Sequence, residues 1–200
     1  MKLIITPLVA IFVLSLNTLD AFSQDSAKIK EKALFFADSL IKTDTYLSWS
    51  AYADLAPEGV LKYYGGKDGF VDHIQKFHSR TVSSLGGEDA PEVKLMSLMA
   101  SGNQWQCIIR ESRYIHRDDN KKYHIVTYLL GQSKDDGDTW RIFDLSYNKV
   151  ANVIYMMPDV IGDLPIPEPY FISEEEEMAK AKQQAAASTP HKKATPARRR

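Results

Sequence analysis

Glu92-Val93-Lys94-Leu95-Met96-Ser97-Leu98-Met99 is where the chain changes its period, and that change decides the fold. Val93, Leu95, Ser97 and Met99 alternate with Glu92, Lys94, Met96 and Leu98, the two-residue repeat of a strand whose side chains point to opposite faces. Gly102-Asn103 follows as a turn signal, and residues 105–114 read as a second strand. Asp118-Asp119-Asn120 turns the chain into a third strand over 123–130, and Asp135-Asp136-Gly137 into a fourth over 139–146. Strands joined by such short turns run antiparallel. Val150, Val153, Ile154 and Met157 then fall at i, i+3, i+4 and i+7, which predicts a short closing helix stopped by Pro158.

Upstream of residue 92 the period is helical. Ile29, Ala33, Phe36 and Leu40 form one stripe over 26–42, and Trp49, Tyr52 and Leu55 share a face over 45–55. Ala56-Pro57-Glu58-Gly59 predicts a break, and Gly65-Gly66 a turn. Phe70, Ile74, Phe77 and Thr81 mark a third helix, with Asp68 as its cap. Helices first and an antiparallel meander afterwards is the signature of an α+β domain. A sheet long enough to curl, with helices packed on it, makes a cone-shaped pocket.

Outside this domain lie two segments of different character. Lys2 followed by the apolar run 3–16, with Ala21-Phe22-Ser23 presenting small residues at a cleavage site, reads as a secretory signal peptide over 1–23. The mature chain is then expected to start at Gln24 and to work outside the cytoplasm, secreted or periplasmic. The run is shorter than the ~20 apolar residues a membrane span needs, so no span is expected. At the other end, Glu174–Glu177, an Ala/Gln/Lys stretch and Arg198-Arg199-Arg200 contain almost no large apolar residues. Residues 173–200 therefore read as a disordered, solvated tail, with a short helix through the acidic block as the alternative, since Glu176 and Lys180 are spaced i,i+4. The tail carries seven Lys/Arg against four Glu, a net +3, which leaves the domain over 24–172 at −4.

Bulk composition excludes some classes. A net charge of −1 gives no basic excess to neutralise phosphates, so nucleic acid is not an expected partner. The single cysteine, Cys107, leaves no internal disulfide and no lipidated cysteine behind the leader. Alternating with Trp105 and Ile109, it reads as a small buried hydrophobe.

Two segments carry a family resemblance. One is Leu55-Ala56-Pro57-Glu58-Gly59-Val60-Leu61-Lys62-Tyr63-Tyr64-Gly65-Gly66-Lys67-Asp68; the other is Ser133-Lys134-Asp135-Asp136-Gly137-Asp138-Thr139-Trp140-Arg141-Ile142-Phe143-Asp144-Leu145-Ser146. With the element order over about 26–158, the chain resembles the nuclear-transport-factor-2-like (SnoaL-like) superfamily, and within it small secreted bacterial members without assigned function. The resemblance implies a cone fold that serves isomerases, cyclases, dehydratases and non-catalytic binders alike. For isomerase chemistry it implies a carboxylate base near Lys62 and an acid near Leu130, and neither position holds a carboxylate.

Residues 133–140 also match S-x-D-x-G-x-T-W, an Asp-box, expected to staple a hairpin: Asp and Ser tie the turn, Gly supplies positive φ, and Trp anchors it on the core. One copy in 200 residues does not make a propeller. His73 and His78 are five apart and belong to different helix faces; His116 and His124 flank a turn and are expected to face one another across the hairpin, without a third ligand for a metal. No cofactor is expected. Asp144 shares a strand face with Trp140 and Ile142 and is the candidate acid, set against the plainer role of tying a neighbouring turn. Arg110, His124 and Tyr128 on neighbouring strands complete the expected polar pocket floor. The leading expectation is a non-enzymatic protein that binds a small, partly apolar ligand. The alternatives are a dehydratase, cyclase or isomerase working from Asp144, and a cell-envelope interaction module that forms a homodimer through its sheet.

Overall fold

In the computed structural model, backbone is described for residues 6–81, 90–116, 121–147 and 150–188, and side chains for 26–78, 90–116, 121–147 and 150–183. The signal-peptide reading falls outside the described side chains, as does the part of the chain beyond 188. Helix α1 (Thr6–Thr45) is followed by α2 (Trp49–Asp54), α3 (Glu58–Tyr63) and α4 (Lys67–Thr81). Strands β1 (Glu92–Ser101), β2 (Gln104–His116), β3 (Lys122–Ser133) and β4 (Arg141–Asp144) form an antiparallel sheet in sequence order. Two 3-10 turns (Leu145–Tyr147 and Val150–Asn152) and the single-turn α5 (Val153–Met156) come next. Strand β5 (Tyr170–Ser173) then pairs with β3 beyond the end of β4, and α6 (Glu174–Ser188) closes the described chain. The fold is α+β, and its sheet is curved but not closed.

The helical stripe of α1 is the expected one, with Ala33, Ala37 and Leu40 fully buried and Ile29 and Phe36 packed beside them. Small residues there let α1 lie close on the sheet. Pro57 does not simply break the chain. It stands at the N-cap of α3, where a missing N–H costs nothing, and Val60 of that helix is completely buried. Gly59 makes this possible, because a Cβ there would stand 2.0 Å from the Met156 carbonyl oxygen of α5. The closing helix expected over 150–157 is split into a 3-10 turn and α5, which bury Val153 and Met156 but leave Ile154 exposed.

Parity along the strands decides what faces the helices. Glu111 pairs with Thr127, Ile109 with Leu129, and Leu129 with Asp144, so these residues share one face. Tyr52 of α2 packs on that side, edge-on to Tyr147 at 5.9 Å and beside Phe70 at 6.2 Å. Rings therefore fill the helix-facing side of the sheet. The opposite face presents Gln106, Ile108, Leu130 and Phe143. The returning chain covers it, with Gln106 donating to the Asp159 carbonyl at 2.9 Å and accepting from the Ile161 N–H at 2.7 Å. The return segment thus covers this face at its Gln106 end. In β1 the expected alternation holds only to Leu95. The register shifts between Leu95 and Ser97, which sends Leu98 rather than Ser97 opposite Cys107.

The segment expected as a solvated tail starts with the last residue of β5 and continues as α6. Glu174 and Glu175 lie 3.8 Å from Lys122 and 3.6 Å from Lys121, and Glu177 reaches His124. The helix alternative at the acidic block is the one adopted. Among the described residues no helix is long and apolar enough to cross a membrane.

Candidate functional site

The Asp-box behaves as its residues require. Ser133 Oγ accepts from the Gly137 N–H (2.9 Å) and donates to Asp135 Oδ1 (2.8 Å), while the two oxygens of Asp135 accept from Thr139 N–H (2.9 Å) and Thr139 Oγ1 (2.7 Å). These bonds hold the Asp135 carboxyl down at about 2. Trp140, 1% exposed, donates from Nε1 to the Gly137 carbonyl at 3.1 Å. Gly137 has φ +84, and a Cβ there would meet Ile29 of α1 at 2.8 Å, so the turn needs glycine twice over.

The same hairpin delivers Asp144 into the helix-facing side. Asp144 Oδ1 accepts from Thr127 Oγ1 (3.2 Å) and the Ser146 N–H (2.7 Å), and the side chain is 9% exposed. Burial pushes its carboxyl up to about 6, opposed by the Ser146 and Thr127 bonds and helped by the charge of Asp44. Glu111, two residues further along the face of Ile109, is pushed up to about 7, first by burial and then by the charge on Asp144, with Arg113 opposing. The two carboxyls are coupled, each charge raising the energy of ionising the other. Tyr147 donates to Asp44 Oδ1 at 2.5 Å and closes one side of the cluster. Tyr52 closes another, and its Oη is buried with no hydrogen-bond partner among the described residues. Chemically, the face carries two buried carboxyls on strands separated by β3, each close enough to neutral in its titration to exchange a proton inside a shielded site.

Arg110, His124 and Tyr128 do not join Asp144. Arg110 pairs with Tyr128 and Tyr114 with His124, all on the opposite face. His124 stacks on Tyr114 (4.5 Å, 16°), its Nδ1 lies 2.7 Å from Glu177 Oε1, and Tyr114 Oη donates to Glu177 Oε2 at 3.4 Å. His116, expected opposite His124, pairs with Lys122 instead. His73 and His78 are packing residues, stacked on Tyr64 at 4.4 Å and set against Trp49 at 4.9 Å. Burial pushes the Cys107 thiol up to about 12, which keeps it an inert core group. Among the described residues no three His, Cys, Asp or Glu side chains are placed to hold a metal ion. The expected polar floor is therefore split by the sheet. Of the groups not anticipated, Glu111 was within reach: continuing the Cys107–Ile109 alternation by one step puts it on the core face.

Two open cavities matter. A cleft of about 450 Å³ lies on the outer face, lined by Ala90, Glu92, Arg110, Ser112, Arg113, Tyr114 and His124. A groove of about 850 Å³ lies at the hairpin end of the sheet, between α3, the Asp-box turn and the segment after α5. Its walls include Lys62 and Tyr63 from one side, Gln132, Lys134 and Arg141 from the sheet, and Tyr155, Met156 and Asp159 from the other. Tyr63 and Tyr155 are 49% and 71% exposed, so both rings are free to meet a ligand. Arg141 is steadied by donating to the Asp54 carbonyl, and Lys134 pairs with Asp159 at 2.7 Å. Asp135 and Thr139 also line the groove, so the Asp-box turn forms part of its wall. The chain matches no family model, no curated protein and no solved structure.

Proposed function

We propose that this protein is a non-enzymatic small-ligand-binding protein acting outside the cytoplasm, and that its ligand lies in the groove at the hairpin end of the sheet. The observation that carries this is the groove of about 850 Å³ in which two exposed tyrosines flank Lys62 and Arg141. Ligand sites combine apolar and aromatic walls with a few fixed polar groups, and the groove has both. Tyr63, Tyr155 and Met156 suit a partly apolar molecule, while Lys62 and Arg141 suit a polar or anionic end. Helices followed by a curved antiparallel sheet agree with the resemblance to the nuclear-transport-factor-2-like superfamily, and that resemblance supports binding as readily as catalysis.

The test is titration with 1-anilinonaphthalene-8-sulfonate, an aromatic anion. The folded protein is expected to bind it saturably, and Tyr155→Ala combined with Lys62→Gln is expected to weaken binding about tenfold. Tyr155 is 71% exposed, so its loss leaves the core intact. No saturable binding, or binding indifferent to both changes, would overturn the proposal.

A second reading, an acid–base enzyme working from Asp144, is favoured by the raised pKa values of Asp144 and Glu111 on one buried face and by the unused Tyr52 hydroxyl. Asp144 and Glu111 are 9% and 8% exposed, so a substrate would have to displace Tyr52 or Tyr147 to reach them. A bound probe that shifts the Asp144 carboxyl resonance in NMR while leaving Tyr155 unchanged would favour that reading over the groove.

A further inference from the structure

The outer face holds a carboxylate in a built receptor, and the chain itself supplies it. His124 is buried and Tyr114 half-buried; they stack and take one oxygen each of Glu177. The site is independent of the groove, being formed by the other end of β2 and β3. The adjoining cleft is lined by Arg110 and Arg113, with Glu92 as its one acid. Among the described residues neither arginine has a carboxylate within ion-pair distance. A guanidinium is a planar fork suited to gripping two carboxylate oxygens at once.

The element that brings Glu177 is lightly held. Its other ion pairs, Lys121–Glu175 and Lys122–Glu174, are 3.6 and 3.8 Å long and largely exposed, the kind worth little in water and screened by salt. Beyond Glu177 no ion pair ties the described part of α6 to the domain, and Met178 is 52% exposed.

We infer that the cleft between the start of β1 and residues 110–114 of β2 binds a small organic carboxylate through Arg110 and His124, with Glu177 of α6 as the internal carboxylate that competes for it. Occupation by a ligand frees Glu177 and loosens the first turn of α6 from the sheet. The inference rests on the fork of Arg110 lining the same cleft as a histidine that already holds a carboxylate, not on the groove.

The experiment is calorimetric titration of the full chain with succinate, with succinamide as the neutral control and inorganic phosphate as a second anion. Succinate is expected to bind, succinamide not to bind, and phosphate to bind more weakly than succinate. Arg110→Gln is expected to weaken succinate about tenfold or more, and Glu177→Gln to tighten it by about the same factor as the competing carboxylate disappears. Absence of succinate binding to both the native chain and Glu177→Gln would overturn the inference, as would phosphate binding more tightly than succinate. Should Arg110→Gln lose its folded near-ultraviolet dichroism, Glu177→Gln decides alone: it is half-buried in the first turn of α6 and its loss removes no core side chain, so an unchanged or weakened affinity there would sink the competition.

Discussion

Asp135 stands in the hairpin turn and Asp144 at the end of the strand that follows it, and the protein moves their acidities in opposite directions, to about 2 and about 6. Asp135 is exposed and accepts three short bonds from Ser133 and Thr139, neighbours within four residues. Asp144 accepts two bonds, yet burial under Tyr52 and Tyr147 outweighs them. A carboxylate whose partners are local keeps its charge far into acid, whereas one roofed over by distant helices keeps its proton up to about pH 6. The first belongs to a turn that any fold could carry. The second exists only when α1, α2 and the sheet have come together.

The comparison can be broken most severely at Trp140, which lies between the two acids and is 1% exposed. Trp140→Ala is expected to cost about 3–5 kcal/mol in denaturant titration. In whatever native state remains, NMR titration should show both carboxyls drifting back toward ordinary values. A cost near zero would mean the hairpin is held without its anchor.

Next in size is the dependence of stability on pH. Glu111 and Asp144 have folded values raised to about 7 and about 6, above the ordinary 4.5 and 3.8. The folded state therefore binds more protons than the unfolded chain between about pH 4 and 7. Stability from these groups is complete below their unfolded values and is lost as pH rises through 6 and 7, on the order of 3 kcal/mol for Glu111 alone. Glu111→Gln should flatten this fall by removing one titrating group. A curve that rises steadily from pH 4 to 8 would contradict the buried pair.

The smallest expected effect is at the other acid. Asp135→Ala is expected to cost about 1 kcal/mol, the worth of a few turn bonds open to water. Because the folded value of Asp135 is depressed to about 2, its contribution is present above the unfolded 3.8 and is lost as pH falls through 2. The variant should therefore lose the acid-side slope and keep the fall above pH 4. Since Asp135 also lines the groove, probe binding in this variant reports whether it acts beyond the turn: unchanged affinity in a folded protein keeps it structural.

Much of the fold was legible in the residues. The helical stripe of Ala33 and Leu40, the burial of Phe70 and Ile74, the two-residue period after Glu92 and the Asp-box turn all express local geometry, which the chain reports wherever it folds. Helix α3 was not legible, because Pro57 and Gly59 look like a break until Met156 is seen packed against Gly59. Strand β5 was hidden as well: Tyr170–Ser173 pairs with β3 across an interval of almost fifty residues, and four residues carry no period of their own. The candidate site was half legible. Asp144 was named for the face it shares with Ile142, and Glu111 was missed although Ile109 pointed to it.

By itself, then, the sequence determined the α+β order, the staple at the hairpin and the identity of the titratable groups, since periodicity and turn chemistry act over a few residues. Only the tertiary structure decided which of those groups meet. Register put Asp144 with Glu111 on one side of the sheet and Arg110, His124 and Tyr128 on the other, because side chains alternate faces and a single residue of slip exchanges them. The returning chain then brought Glu177 to His124 and Tyr155 across from Tyr63, joining residues separated by 53 and 92 positions. Contacts of that range are set by how the elements pack, and no local pattern along the chain encodes them.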